Sequence, residues 1–196
     1  MEKSHPLTIA LLAFAISLYA YRFWDVFFKR YSSRGIVYHK WTLSALALSH
    51  SLLGILTICE YLFLRAHYNP HIAFIAVFIF ALGQTLRNQA IKALGPYHSP
   101  HIEIKSTHSL ITTFPYNKLR HPYYLGVILE VLATPLIFNA YLSFFFALLT
   151  YIPTLIYRIV LEEKALKSHF GKIYDEYANA VRRFVPKKSA TFLKSR

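Results

Sequence analysis

The sequence is poor in cysteine and glycine, and each scarcity excludes a class of protein. The single cysteine, Cys59, can form neither an internal disulfide nor a multi-cysteine metal site. The six glycines are scattered along the chain, so a dinucleotide-binding G-x-G-x-x-G fingerprint and a phosphate-binding P-loop are both missing. No H-E-x-x-H motif occurs on a predicted helix, and we expect no metal site. Any cofactor must therefore be held by another architecture.

Apolar residues dominate instead, at 55% of the chain, and aromatic residues make up 17%. Four long segments are free or almost free of charged side chains: Ser4–Tyr21, Trp41–Cys59, Asn69–Leu86 and Tyr123–Tyr157. A bilayer core about 30 Å thick takes about 20 helical residues, so each of the first three segments suits one membrane span. The fourth, whose only charge is Glu130, is too long for one span and fits two short ones that turn at residues 138–140. The sequence therefore predicts five transmembrane helices.

The formal net charge of +13 would suggest nucleic acid in a soluble protein, but here the cations are sorted by side of the membrane. All of the 22 lysines and arginines except Lys3 and Arg65 fall in alternate loops or in the C-terminal region. Under the positive-inside rule, this asymmetry puts the N-terminus outside and the C-terminus in the cytoplasm. The charge therefore favours anionic membrane lipid as a partner, and we expect no nucleic acid.

Two polar regions follow the third predicted span and the last one. Residues 87–109, RNQAIKALGPYHSPHIEIKSTHS, form a cytoplasmic loop whose aromatic and histidine residues indicate function rather than disorder. The HIEIK segment of this loop, residues 101–105, alternates as a strand does but is too short to imply a sheet. Residues 162–186 have the apolar spacing of an amphipathic helix, with a break at Gly171.

The densest chemistry of the chain lies on the predicted cytoplasmic face, in three pieces: His108–Ile111, Tyr116 with Arg120–Tyr124, and Arg158 with Glu162 and Glu163. Arg158 and Glu162 are four residues apart, so they share a helix face and can pair. Pro122 suits the first turn of a helix, where its missing N–H costs nothing. The free backbone donors of that turn, with Arg120 and His121, would form a rim able to hold an anion.

Two blocks of sequence, ALGPYHSPHIEIKSTHSLITTFPYNKLRHPYYLGVILE and RIVLEEKALKSHFGKIYDEY, contain these pieces. They resemble the isoprenylcysteine carboxyl methyltransferase family of integral-membrane methyltransferases, whose wider group includes phospholipid N-methyltransferases. The resemblance covers roughly residues 89–186 and implies S-adenosyl-L-methionine as the cofactor. It implies a cofactor site formed by His108, Ser109, Leu110, Ile111, Tyr116, Arg120, His121, Pro122, Tyr123, Tyr124, and Glu162 or Glu163. Arg158 would face the acceptor and, with Glu162, would be catalytic.

Two further segments, EVLATPLIFNAY and WDVFFKRYSSRG, resemble a bacterial branch of this group that is found with type III polyketide synthases. That branch methylates the hydroxyl of long-chain alkylpyrones or alkylresorcinols. We therefore expect an O-methyltransferase of a bacterial inner membrane that acts on a carboxyl or acidic hydroxyl of a lipophilic acceptor. The acceptor would be a prenylcysteine-like carboxylate or an alkylresorcinol-like phenol. Phospholipid N-methylation and a non-catalytic membrane scaffold stay open as alternatives.

The expected fold class is an all-α integral membrane protein with five transmembrane helices, a cytoplasmic cofactor-binding loop and a C-terminal amphipathic helix. Residues 1–88 would form a scaffold of three spans. Residues 89–186 would form the methyltransferase core, and residues 187–196 a basic tail.

Overall fold

The computed structural model describes residues 35–64, 68–105 and 109–187, together with residues 9–10, 13–14, 16–17, 20 and 24. Most of the first predicted span, His108 and the basic tail after residue 187 lie outside the described residues. The described chain forms, in order, β1 (Gly35–Tyr38), α1 (Trp41–Phe63), α2 (Pro70–Leu94), β2 (Ile102–Lys105), α3 (Pro122–Ile137), α4 (Tyr141–Phe146), α5 (Ile152–Phe170) and α6 (Lys172–Ala180). A 3₁₀ turn, Gly95–Tyr97, follows α2, and a π-helical segment, Ala147–Tyr151, joins α4 to α5.

Three helices within the described residues are long and apolar enough to cross a membrane: Trp41–Phe63, Pro70–Tyr97 and Tyr141–Phe170. The shorter apolar helix α3 ends at Ile137, and the chain reverses through residues 138–140 before α4 begins, which confirms the predicted turn. With 16 residues, α3 is about 24 Å long at 1.5 Å per residue, somewhat shorter than the bilayer core is thick. The number of five spans stays a prediction.

The break at Gly171 is confirmed, but the last span and the amphipathic helix are not separate elements. Helix α5 continues from Ile152 to Phe170 without interruption. Gly171 ends it with a φ of 57°, a conformation that costs little only for a residue without a Cβ atom. Because α5 is continuous, it carries Arg158 and Glu162 on one rigid rod that reaches from the apolar region to the polar end of the molecule.

Helices α2 and α3 approach each other closely through two glycines. A Cβ atom on Gly126 would lie 2.7 Å from the Gly83 carbonyl oxygen and 2.9 Å from the Arg87 Cβ atom, so no larger residue fits there. One turn further along, Arg87 Nε and Glu130 Oε1 form an ion pair 3.0 Å long, with 1% and 2% of the side chains exposed. The single charge of the fourth apolar segment is thus neutralised inside the protein.

The end of the bundle near residues 68–70 and 138–143 is held by side chains that bond to backbone groups. The Glu60 carboxylate accepts hydrogen bonds from the N–H groups of Leu142 and Ser143, at 2.9 and 2.7 Å, and so caps the first turn of α4. Asn139 Oδ1 accepts from the Asn69 N–H at 2.7 Å. These bonds join α1, α2 and the α3–α4 turn.

The all-α expectation is wrong at one place, because residues 102–105 form a strand. Strand β2 pairs with β1 in an antiparallel two-stranded sheet, with Gly35 opposite Lys105 and Tyr38 opposite Ile102. Ile102 and Ile104 pack against Leu161 and Ala165 of α5. The strand alternation of HIEIK was therefore a real signal. Its partner lies more than 60 residues earlier, where no local pattern could connect the two.

Candidate functional site

A cavity of about 610 Å³ lies at the polar end of the bundle, bounded by α1, the loop before β2, the start of α3, the middle of α5, and α6. It brings together most of the site residues predicted from the sequence: Leu110, Ile111, Tyr116, Arg120, His121, Tyr123, Tyr124, Arg158 and Glu162. Ser109, Pro122 and Glu163 are not among the lining residues. His108 lies outside the described residues.

Arg158, Tyr124 and Glu162 form a hydrogen-bonded chain at the centre of the cavity wall. Arg158 Nε donates to the Tyr124 hydroxyl oxygen at 3.1 Å, and that hydroxyl donates to Glu162 Oε2. Arg158 also donates from Nη1 to Thr42 Oγ1 at 2.7 Å and from Nη2 to the Pro100 carbonyl at 2.5 Å. The predicted pairing of Arg158 with Glu162 is therefore made through Tyr124 rather than directly. The phenol comes from α3, and only the packing of α3 against α5 brings it between them.

Glu163, next to Glu162 on α5, faces a different set of groups. One oxygen of its carboxylate lies 3.0 Å from His121 Nε2 and 3.3 Å from Arg120 Nη2. Arg183 Nε donates to the same carboxylate at 3.0 Å. The anion that Arg120 and His121 hold in this structure is therefore Glu163 of the chain itself.

The segment after α6 closes over this cluster. The N–H groups of Arg120 and His121 donate to the carbonyls of Arg182 and Arg183, at 2.9 and 3.2 Å. Since Glu163 also binds the Arg183 side chain, residues 182–183 are joined both to α5 and to the start of α3. This arrangement fixes the positions of the residues on one side of the cavity.

Three tyrosines outside the apolar helices, Tyr116, Tyr174 and Tyr177, line the cavity. Burial raises the pKa of Tyr116 well above its usual value, with a smaller contribution from the charge of Glu162. Burial likewise raises the pKa values of Tyr174 and Tyr177, so all three remain neutral phenols at physiological pH. The Tyr177 hydroxyl donates to the Tyr116 carbonyl at 2.8 Å. The spacing of Tyr174 and Tyr177 indicated only the apolar face of an amphipathic helix, and their part in the cavity was not predicted.

The other arm of the cavity is apolar and runs along one face of α1. The α1 residues that line this arm include Leu43, Leu46, Ala47, Gly54, Ile55 and Ile58. Tyr151 and Leu155 line it from the opposite helix, and His50 of α1 packs its ring 5.9 Å from that of Tyr151. One continuous cavity therefore has a polar, hydrogen-bonding end and an apolar arm.

Two histidines of the loop before β2 also line the cavity and were not assigned from the sequence. The His98 ring packs 5.4 Å from the ring of Tyr123. His101 has a lowered pKa, first because of burial and second because of the positive charge of Arg158. The signal available in the sequence was HSPHIEIK itself, a histidine-rich loop between predicted spans.

Comparison with known proteins identifies the protein family of this chain. The sequence profile of the isoprenylcysteine carboxyl methyltransferase (ICMT) family matches residues 74–168. The protein-S-isoprenylcysteine O-methyltransferase B of Arabidopsis thaliana is 31% identical over 159 residues, which cover 75% of this chain and 79% of that protein. The chain therefore belongs to the isoprenylcysteine carboxyl methyltransferase family. The three long apolar helices within the described residues and this membership make it an integral membrane protein of a methyltransferase family.

Two other relatives match this chain over shorter regions. The protein-S-isoprenylcysteine O-methyltransferase of Schizosaccharomyces pombe is 32% identical over 107 residues, 54% of this chain and 45% of that protein. The uncharacterized protein YpbQ of Bacillus subtilis is 34% identical over 89 residues, 45% of this chain and 53% of that protein. The chain thus spans about half the length of each of these two relatives.

Proposed function

We propose that this protein is an S-adenosyl-L-methionine-dependent methyltransferase that transfers a methyl group to an oxygen of a lipophilic acceptor. The observation that carries the proposal is that Arg158, Tyr124 and Glu162 adjoin an apolar arm along α1 within one cavity. A polar cofactor and a hydrophobic acceptor need such an arrangement, because they come from different solvents and must meet at one point. Membership of the methyltransferase family supports the same reaction class.

The residues present fit the proposed cofactor. Arg120 Nε and the Tyr174 hydroxyl are buried without a hydrogen-bond partner in the part of the chain that the structure describes, and both residues line the cavity. Buried polar groups are normally satisfied, so these two are suited to a polar ligand. When bound, S-adenosyl-L-methionine supplies an electrophilic methyl group on a cationic sulfur. The aromatic faces of Tyr116, Tyr123 and Tyr174 would attract that cation.

Glu162 is the better of the two candidate acidic ligands. Its carboxylate lines the cavity and accepts a hydrogen bond from the Tyr124 hydroxyl. Glu163 is absent from the cavity wall and is engaged by Arg120, His121 and Arg183. We therefore assign the polar end of the cofactor to Glu162, and to Glu163 the task of positioning the residues around it.

Arg158 is assigned to the acceptor. A guanidinium group has five N–H donors, of which the structure uses three, on Tyr124, Thr42 and Pro100. The remaining donors and the positive charge can hold an anionic oxygen in place. A cationic ammonium headgroup would be repelled, and this favours a carboxyl or acidic hydroxyl over the amine of a phospholipid.

The proposed enzyme crosses a bacterial inner membrane five times, with the cavity on the cytoplasmic side and residues 89–186 as its catalytic core. In a Cys59→Ala background, we expect Lys118→Cys to react with an impermeant thiol reagent only from the cytoplasm. His71→Cys, at the start of α2, should react only from outside. Labelling of both positions from one side would contradict this topology.

The central experiment is a titration of the purified protein with S-adenosyl-L-methionine by calorimetry, followed by transfer of labelled methyl groups to a panel of lipids. We expect saturable binding and labelling of a lipophilic carboxyl or phenol. A non-catalytic scaffold would give no saturable heat. Selective labelling of phosphatidylethanolamine would instead establish the N-methyltransferase alternative.

A further inference from the structure

His101 differs from the histidines near it in the cavity wall, because no described residue holds its ring. His121 lies 3.0 Å from Glu163, and the His98 ring packs against that of Tyr123 at a tilt of 52°. The His101 ring makes no hydrogen bond within the part of the chain that the structure describes, and its Nδ1 is buried there without a partner. Such an imidazole contributes little to stability, since a buried polar group without a partner costs free energy.

The position of His101 is tied to Arg158. The carbonyl of the preceding residue, Pro100, accepts a hydrogen bond from Arg158 Nη2 at 2.5 Å. The His101 N–H donates to Ser99 Oγ at 3.2 Å, which fixes the turn between them. Both His101 and Arg158 line the cavity. An acceptor oxygen bound by Arg158 would therefore lie in the same cavity as the imidazole of His101.

The charges around His101 favour its neutral form before the reaction. Burial lowers its pKa most, and the positive charges of Arg158 on α5 and of Lys40 just before α1 lower it further. Glu103 of β2 acts in the opposite direction and stabilises the imidazolium once it forms. A neutral imidazole at physiological pH can accept a proton.

We propose that His101 is the general base for a hydroxyl acceptor, an inference that rests on the proposed methyltransferase function. The acceptor hydroxyl gives its proton to a ring nitrogen of His101, and the oxygen lone pair forms the new bond to the methyl carbon. The carbon–sulfur bond breaks, and its electron pair stays on sulfur, which becomes a neutral thioether. The imidazolium then releases its proton to water, while Arg158 stabilises the negative charge that develops on the oxygen.

A general base at His101 favours a hydroxyl acceptor over a carboxylate acceptor. A carboxylate is already ionised at neutral pH and needs only orientation, whereas a phenol or enol must lose a proton for methyl transfer. A cavity that holds both an imidazole without a hydrogen-bond partner and the arginine assigned to the acceptor therefore suits a phenolic or enolic hydroxyl.

The test compares a long-chain alkylresorcinol with a long-chain fatty acid as acceptors for the full-length protein in detergent. His101→Gln should lower kcat/KM for the resorcinol by about 10²-fold or more, with unchanged cofactor affinity by calorimetry. His169→Gln, an exposed histidine outside the cavity wall, is the matched control and should act as wild type. The wild-type kcat/KM for the resorcinol should fall as the pH drops through the lowered pKa of His101, and His101→Gln should lose this dependence.

A second readout needs no turnover. Without cofactor, the histidine resonance that disappears in His101→Gln should shift when the resorcinol is added. The inference is overturned if His101→Gln methylates the resorcinol normally, if that resonance does not move, or if only the fatty acid is methylated. Cofactor binding without methylation of either acceptor would overturn the proposed acceptor class and the role of His101 together. Unchanged resorcinol turnover in His101→Gln would leave the proposed function intact.

Discussion

Arg87 and Arg158 are both buried in helices, with 1% and 3% of their surfaces exposed, but their surroundings differ. Arg87 forms an ion pair with Glu130 between α2 and α3. Arg158 donates to two hydroxyl oxygens and a carbonyl, and it forms no direct ion pair with any described residue. The charge of a buried cation next to its own counter-ion is already neutralised. A buried cation held only by neutral oxygens keeps its charge available for a ligand. Arg87 therefore stabilises the packing of α2 against α3, whereas Arg158 can bind a ligand in the cavity.

The largest expected effect is on stability, at Arg87. Arg87→Met leaves the Glu130 carboxylate buried without its partner and should lower the free energy of unfolding by about 3–5 kcal/mol. The double variant Arg87→Met with Glu130→Leu removes both charges and should recover most of that loss. Unfolding of the variants in detergent measures this. Equal stabilities of the single and the double variant would contradict the expectation that the loss comes from a buried Glu130 carboxylate without its counter-ion.

Arg158→Gln should lower stability less than Arg87→Met, because it leaves no buried carboxylate without its counter-ion, and it should impair acceptor use. A hydrogen bond to a charged group contributes about 1.5–3 kcal/mol, so kcat/KM for the acceptor should fall about 10- to 100-fold. Cofactor affinity should change little, and Arg158→Lys should retain part of the activity because it keeps the charge but loses the planar donors. Normal turnover by Arg158→Gln would remove the contrast with Arg87.

Glu162 and Glu163, which are adjacent in the sequence, show the same contrast between a residue that lines the cavity and one that is paired with charged side chains of the protein. Glu162→Gln should weaken cofactor affinity by about ten-fold, on the order of 1.4 kcal/mol, because its carboxylate lines the cavity. Glu163→Gln should affect affinity less, since it acts only through Arg120 and His121. Calorimetric titration of both variants decides between them, and the reverse order would transfer the ligand role to Glu163.

The smallest effect is expected at Arg183, whose side chain is 45% exposed. Its ion pair with Glu163 should contribute less than about 1 kcal/mol, because solvent screens it. Arg183→Gln should therefore unfold almost as the wild type does, and raising the salt concentration should reduce even this small difference. A loss comparable to that of Arg87→Met would mean that the Arg183–Glu163 pair contributes far more than a solvent-screened contact.

The sequence was most informative where one segment sufficed. The uncharged runs predicted five spans, of which three are found within the described residues as helices long and apolar enough to cross a membrane, and residues 138–140 form the expected turn. The blocks around Arg120–Tyr124 and Arg158–Glu163 pointed to the correct family. Helical spacing also put Arg158 and Glu162 on one face of α5, since a four-residue step is about one turn.

Relations between distant segments could not be predicted in this way. Strand β2 needed β1 as its partner, and the Arg158–Glu162 link needed the Tyr124 hydroxyl from another helix. Local periodicity contains no information on which helix supplies a third group. The proposed role of His101 could not be predicted from the sequence either, because it depends on the contact between its loop and α5.

The sequence alone determined that the chain belongs in a membrane and which family it resembles, through apolar runs long enough for a bilayer and the two motif blocks of a methyltransferase family. The tertiary structure decided which of two residues of the same type lines the cavity and which is paired with an opposite charge. Arg87 or Arg158, and Glu162 or Glu163, are chemically identical pairs. Only the three-dimensional packing gives one member a counter-ion and leaves the other in the cavity wall, because burial and partner distance are set by helices far apart in the chain.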